Sequence, residues 1–314
     1  MRSALFTLLM VPALLAEDTP GRVIALVPEF NRLFDPGTPV EKVTEGFEFT
    51  EGPVWSPEQF LLFSDIYGDR IYKWTPHAGK SVFREPAGNP NGLTFDRHGH
   101  LLICEQKKRR LVRLGSGGAI TVLADRWDGK SLNCPNDVVV RRDGTIYFTD
   151  PYWKFPPGST QELDFQGVFR ISPKGKLFLE AKDFGLPNGI GLSPDEKLLY
   201  IGDSRRRKIY AFDVARDGSL SGQRLLADLQ SNEKGAVDGM KIDELGNIYS
   251  TGPGGVWVIS KTGQHLGTIQ AAEIPANCAW GDADFSALYL AAPKSIYRVR
   301  SRVRGKATYN VTAK

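Results

Sequence analysis

Cysteine and histidine are both scarce in this 314-residue chain, with 3 and 4 copies. Cys104, Cys134 and Cys278 lack metal-ligand spacing, which argues against a thiolate zinc site. Their odd number leaves room for at most one internal disulfide, and buried thiols are the simpler expectation. His77, His98, His100 and His265 all fall in predicted outer turns. None has a serine or cysteine partner at nucleophile spacing, which excludes a hydrolytic triad. An excess of one charge is also missing. The 40 Lys and Arg against 36 Asp and Glu leave a net +4, too little to argue for nucleic acid. Beyond residue 16 no apolar run is long enough to cross a bilayer.

What is present begins with MRSALFTLLMVPALLAED: one arginine, then an apolar stretch from Ala4 to Ala16. This has the form of a secretory signal, residues 1–16, with cleavage after Ala16 and an exported, periplasmic or secreted product. A short anchor that stays attached is the other reading. The 41% hydrophobic and 24% charged content is that of a globular domain with a large core.

The stretch Pro187 to Asp203, PNGIGLSPDEKLLYIGD, reads as strand, turn, strand, with a polar residue at its mouth. The chain writes this unit six times, at anchors Glu51, Asn91, Asn136, Asn188, Asp238 and Asn277. A repeat of about 40–45 residues with four short strands marks a propeller blade. A short apolar strand follows each anchor (GPVW, GLTF, DVVV, GIGL, GMKI, CAWG). The second strands read FLLFSD, LLICE, TIYFTD, LLYIGD, NIYST and ALYLA. Acid–base pairs five residues apart then open the third strand: Asp65 with Arg70, Glu105 with Arg110, Asp203 with Lys208. The expected fold is all-β, a six-bladed β-propeller with four-stranded antiparallel blades. The propeller domain spans 39–314, and 39–46 closes the last blade because a ring must remove its sheet edges. Residues 302–314 compete for that place. Residues 17–38 form an N-terminal arm with a helical turn at Pro28–Phe34.

The first strand of each blade lines the central channel, so the anchors should meet at one mouth. Two carboxylates and four amides make a hard-oxygen set. Such a set suits Ca²⁺, with Mg²⁺ or Mn²⁺ possible and Zn²⁺ less favoured. Asn-Gly and Asp-Gly are also ordinary turn formers, which would make the pattern purely structural. Glu51 separates the two readings, since glutamate has no special turn role.

Loops between second and third strands return to the anchor face. The second copy places Gln106-Lys107-Lys108-Arg109-Arg110 there, and the fourth Ser204-Arg205-Arg206-Arg207-Lys208. The third holds an insertion, Tyr152 to Gln166, read as a lid in which Tyr152, Trp153 and Phe155 exclude water. The basic runs are read as flanking the channel and steering an anionic substrate. Gly252-Pro253-Gly254-Gly255 lacks the lysine and helix of a phosphate loop and is read as a hairpin tip.

The chain resembles the gluconolactonase, regucalcin and senescence marker protein family. The residues that carry this are Thr50-Glu51-Gly52-Pro53-Val54-Trp55, Ser131-Leu132-Asn133-Cys134-Pro135-Asn136-Asp137, Leu186-Pro187-Asn188-Gly189 and Val237-Asp238-Gly239-Met240. The resemblance runs over about residues 35 to 300 and implies a six-bladed propeller that opens lactone rings. It implies one divalent metal held by Glu51, Asn136, Asn188 and Asp238, with Asp238 as general base and Asp137 assisting. Asn91, Cys134, Asn277, Glu105, Tyr152 and Trp153 are the candidate substrate contacts. Cys134 stands where animal members place an arginine, and Gln106 where many bacterial relatives place a histidine. The partner implied is a small-molecule lactone, with no obligate protein partner. A metal-dependent phosphotriester hydrolase and a non-catalytic, calcium-stapled binding propeller are the alternatives.

Overall fold

A computed structural model describes residues 21–153, 157–306 and 309. The 1–16 signal segment lies outside the described residues, as does Phe155 of the expected lid.

Each sequence copy folds into one antiparallel blade, its strands ordered outward from the axis. Blade 1 is Thr50–Trp55, Leu61–Asp65, Arg70–Thr75 and Gly79–Arg84. Blade 2 is Pro90–Phe95, Leu101–Glu105, Arg110–Leu114 and Ile120–Ala124. Blade 3 is Val138–Val140, Ile146–Asp150, Gly167–Ile171 and Leu177–Ala181. Blade 4 is Pro187–Leu192, Leu198–Asp203, Lys208–Val214 and Leu220–Asp228. Blade 5 is Met240–Ile242, Ile248–Gly252, Gly255–Ile259 and His265–Gln270. Blade 6 takes Asn277–Gly281, Ala287–Ala292 and Ser295–Arg300 from one end of the chain and Val40–Glu45 from the other. In that closure Val40 lies opposite Val299 and Glu45 opposite Ser295. The innermost strand of each blade packs on that of the next, and blade 6 packs on blade 1, so the ring is complete.

Burial falls from the axis outward. The inner strand Thr50–Trp55 is wholly buried, whereas the outer strand Gly79–Arg84 is almost wholly exposed. The second strands are the heart of the core. Tyr147, Tyr200, Tyr249 and Tyr289 occupy equivalent positions there and are fully buried. A buried phenol must still find a partner. Tyr147 donates to Gly218 O at 2.6 Å and Tyr289 to Asp282 Oδ1 at 2.6 Å.

The segment read as an arm is more than that. Arg22–Ala25 adds a fifth strand to blade 5, pairing with His265–Gln270. The 3₁₀ turn Pro28–Arg32 then buries Phe30 against Phe34, ring centroids 5.3 Å apart. Gly267 leaves the space that the Phe30 ring fills. Residues 302–306 do not compete for the closing strand. They cross the floor of the ring, with Gly305 bridging Asp243 and Lys306 Nζ 2.9 Å from Glu196 Oε1.

His265 corrects a sequence expectation. It lies in a strand, stacked on Trp257 with centroids 3.7 Å apart and planes 5° from parallel. A strand turn is polar by default, and nothing in the local pattern marks an aromatic partner on the neighbouring strand. A small hairpin, Arg126–Trp127 with Lys130–Ser131, also sits between blades 2 and 3 without a repeat to announce it. All three cysteines are buried, with no disulfide among the described residues.

Candidate functional site

The anchors do converge, and the way they do so differs from a row of turns. Asn91 and Asn188 lie within inner strands rather than in the loops before them. Each, with its following glycine, sits in a register shift against the second strand, between Pro90 and Leu93 and between Pro187 and Ile190. Such a bulge puts two residues opposite one and re-aims a side chain. Glu51 precedes a similar shift, between Glu51 and Val54.

The glycines that follow are there for close approach. A Cβ on Gly52 would collide with Asn91 O, on Gly92 with Asn136 O, on Gly189 with Asp238 O, and on Gly239 with the Asn277 side chain. Gly92, Gly189 and Gly239 have no positive φ that would otherwise demand glycine. Each of these four glycines therefore admits the next blade's anchor, and the motif records ring packing. Hydroxyls on second strands hold the same junctions. Ser64 Oγ donates to Asn91 O at 2.6 Å, Thr149 Oγ1 to Asn188 O at 2.7 Å and Thr251 Oγ1 to Ala276 O at 3.2 Å.

A cavity of about 270 Å³ opens at this mouth. Glu51, Asn91, Asn136, Asn188 and Asp238 all line it. Asp137 and Asn277 are buried beside them and outside the lining. Asn277 donates Nδ2 to Glu51 Oε2 at 2.8 Å, while its Oδ1 accepts from Cys278 N. It therefore orients Glu51 rather than meeting a substrate. Asn188 Nδ2 donates to Ser204 Oγ at 3.0 Å, and Ser204 Oγ donates in turn to Val237 O. That chain leaves the Asn188 amide oxygen for the channel.

The remaining expected contacts divide. Trp153 lines the cavity. Tyr152 does not, because its hydroxyl donates to Ser159 O at 2.7 Å. Cys134 is fully buried outside the lining. Glu105 is also outside, 2.6 Å from Arg110 Nε. Its counterparts show what an acid does at this position. Asp65 accepts from Glu48 N and Phe49 N, and Asp203 from Gly185 N and Leu186 N. Each ties down the segment leading into its own inner strand. Phe49, Ile66, Tyr67 and Gln106 complete the lining. Ile66 and Tyr67 belong to the second-to-third strand loop of the first copy. The same rule that placed Gln106 and Trp153 on this face would have found them.

The rim bases are mostly spent on the protein. Arg109 donates to Leu132 O and Asn133 O and reaches Thr160 O and Glu162. Arg206 binds Asp183, and Arg207 donates to Ser231 O. Among the described residues no lysine or arginine lines the cavity.

Electrostatics favour a cation at the mouth. Burial first, then the Asp137 charge, pushes the Glu51 carboxyl up to about 7. Burial, then Glu51 and Asp137, raises Asp238 well above the ordinary carboxylate range. Asp137 is raised by burial and held down in part by Lys241. Like charges sharing a dry site repel, and a dication there would relieve them. Asn91 also lines the cavity, and its buried Oδ1 has no hydrogen-bond partner among the described residues, a further oxygen acceptor at the mouth. Among the described residues no three His, Cys, Asp or Glu come together as a metal site. The available set is instead two carboxylates with amide oxygens, which fits a hard oxygen-seeking cation.

The chain matches the family model described as "SMP-30/Gluconolactonase/LRE-like region" over residues 49–293. It is 31% identical to a gluconolactonase of Zymomonas mobilis, across 92% of this chain and 88% of the relative. It is 27% identical to a regucalcin of Xenopus laevis, across 79% and 84%. Among solved structures, a gluconolactonase of Xanthomonas campestris superposes with a TM-score of 0.82 at 29% identity, across 90% of this chain and 96% of that one.

Proposed function

This chain belongs to the SMP-30/gluconolactonase/LRE-like family, and on that premise we propose that it is a metal-dependent hydrolase of lactones. Relatives named as lactonases support ring opening. The convergence of Glu51, Asn136, Asn188 and Asp238 on one cavity carries the rest. These four side chains would hold a divalent cation, with Ca²⁺ the best match to all-oxygen ligands. When bound, such a cation polarises the lactone carbonyl and stabilises the oxyanion that develops there.

The chain's own residues do the remainder. Asn277 holds Glu51 through its 2.8 Å hydrogen bond, so that ligand keeps its orientation. Ser204 does the same for Asn188. Asp238, half-buried in the cavity wall, takes a proton from the attacking water. The water oxygen bonds to the carbonyl carbon and the ring C–O bond breaks. Asp238 then returns the proton to the departing ring oxygen, giving a hydroxy acid. Asp137 is buried beside Glu51 and Asp238, and its charge adds to the negative potential that a cation at this mouth would neutralise. Asn91 and Gln106 offer amides for orienting the ring. The apolar run Ala4 to Ala16 supports action after export.

The test is hydrolysis of a panel of small lactones, alongside a phosphotriester, before and after chelation. Lactone turnover that chelator abolishes, Ca²⁺ restores and Asp238→Asn removes is the expected result. Turnover indifferent to chelator would remove the metal from the mechanism. Preference for the phosphotriester would change the reaction class, and binding of calcium without any turnover would leave a structural staple.

A further inference from the structure

Once the four cation-facing side chains are set aside, the cavity wall is strongly one-sided. Phe49, Ile66 and Tyr67 come from blade 1 and the segment that enters it, and Trp153 from the loop of blade 3. Phe49 and Tyr67 meet edge to face with centroids 5.8 Å apart, so they form one continuous aromatic surface. Tyr67 is 61% exposed and Trp153 41%. Large apolar side chains left open to water at the lip of a catalytic cavity mark a surface that a ligand covers. The uncharged amides Asn91 and Gln106 are the other polar groups on the wall. A polyhydroxylated ring would need several hydrogen-bonding partners on leaving water, and this wall offers few. Among the described residues no lysine or arginine lines the cavity to receive an anionic substituent.

Resting on the lactonase reading above, we propose that the substrates are neutral lactones bearing an apolar substituent, which Phe49, Ile66, Tyr67 and Trp153 cover while the ring carbonyl faces Glu51 and Asp238. These four residues are specificity determinants and take no part in bond making. The ring is placed by the polar side of the cavity and the tail by the aromatic side.

The experiment compares kcat/KM for γ-butyrolactone, γ-hexalactone, γ-octalactone and γ-decalactone with that for δ-gluconolactone, using calcium-loaded enzyme. The expected result is a rise of about two- to fourfold per added methylene until the tail outgrows the wall, the upper value corresponding to full burial of a CH₂. Most of the gain should appear in KM, since tail binding is shared by ground and transition states. Tyr67→Ala and Trp153→Ala should each flatten the chain-length slope, and Tyr67→Phe should keep it. Both side chains are largely exposed, so the variants leave the core intact. A flat series in the parent enzyme, or δ-gluconolactone as its best substrate, would overturn the proposal. If none of the lactones turns over, the lactonase reading itself fails, which is a distinguishable outcome.

Discussion

Asn277 and Glu51 lie 226 positions apart, yet the Asn277 amide nitrogen sits 2.8 Å from Glu51 Oε2. The bond spans the junction between the last blade and the first. Glu51 Oε2 accepts from Gly52 N as well, so this oxygen is fully committed and Oε1 is the one left to face the cavity. A residue that resembles the other anchors in sequence thus orients the proposed cation ligand Glu51 and does not itself line the cavity.

Asn277→Ala should therefore weaken calcium binding by about 10–100-fold, the usual effect of removing a partner that orients a ligand. Titration calorimetry on metal-free protein measures it directly. An unchanged dissociation constant would mean that Gly52 N alone suffices to hold the carboxylate.

The glycines after the anchors make a second prediction. Gly189→Ala would drive a methyl group into Asp238 O, and Gly239→Ala into the Asn277 side chain. The Asp238 backbone cannot yield, and the Asn277 amide is held at both ends by Glu51 and Cys278 N, so each should cost at least about 1–3 kcal/mol. Gly115→Ala is the control. Its φ of −91° suits any residue, and a Cβ there meets only Ala119 O at 3.6 Å. That substitution should be neutral or stabilise by about 0.4–1 kcal/mol. Urea denaturation separates the two classes, and equal midpoints for all three variants would refute the packing role.

Asp150 provides a pH test away from the cation-facing side chains. It is fully buried, Oδ2 accepts from Asn133 N at 2.8 Å, and Oδ1 has no partner. Burial raises its carboxyl to about 7, against the opposing backbone N–H groups of Asn133 and Cys134 and the Arg109 charge. A folded-state value above the unfolded one means that the native state binds the extra proton. The stability this gives is fully present below the ordinary value of 3.8 and is lost as pH rises through about 7. Asp150→Asn keeps an acceptor for Asn133 N and removes the ionisation. With calcium saturating, the parent's unfolding free energy should fall relative to the variant's between pH 5 and pH 8. Parallel profiles would show that Asp150 ionises normally.

The fold was legible because it is written six times. The second-strand pattern, such as Ile146-Tyr147-Phe148 and Leu199-Tyr200-Ile201, survives every insertion, and the near-continuous burial of these strands follows from it. Asn188 and Asp238 were legible as residues of the channel mouth because each stands at or just before the start of an inner strand. What stayed hidden depends on neighbours in space. Gly189 looks like a turn glycine until Asp238 O is placed beside it. Glu105 looks like a channel acid until its counterparts Asp65 and Asp203 are seen holding backbone N–H groups. Tyr67 looks like any loop tyrosine until the closed ring brings it and Trp153 to the wall of one cavity.

The basic runs lead to the last prediction. Read as sequence, Lys107 to Arg110 and Arg205 to Lys208 suggest electrostatic steering. In the folded chain Arg109, Arg206 and Arg207 are turned onto backbone carbonyls, and Arg110 onto Glu105. Lys208 pairs with Asp228 at 3.6 Å. Lys107, Lys108 and Arg205 remain exposed, outside the cavity lining. The field of such solvent-exposed charges is screened by salt, over a Debye length of about 10 Å at 0.1 M. Steered association, by contrast, falls steeply as ionic strength rises. For a neutral lactone and for one carrying a carboxylate, kcat/KM should change by less than about twofold between 20 and 300 mM salt, within the regime where steering is absent. A decline of tenfold or more confined to the anionic substrate would restore the steering role. The triple variant Lys107→Ser, Lys108→Ser, Arg205→Ser would then identify its source.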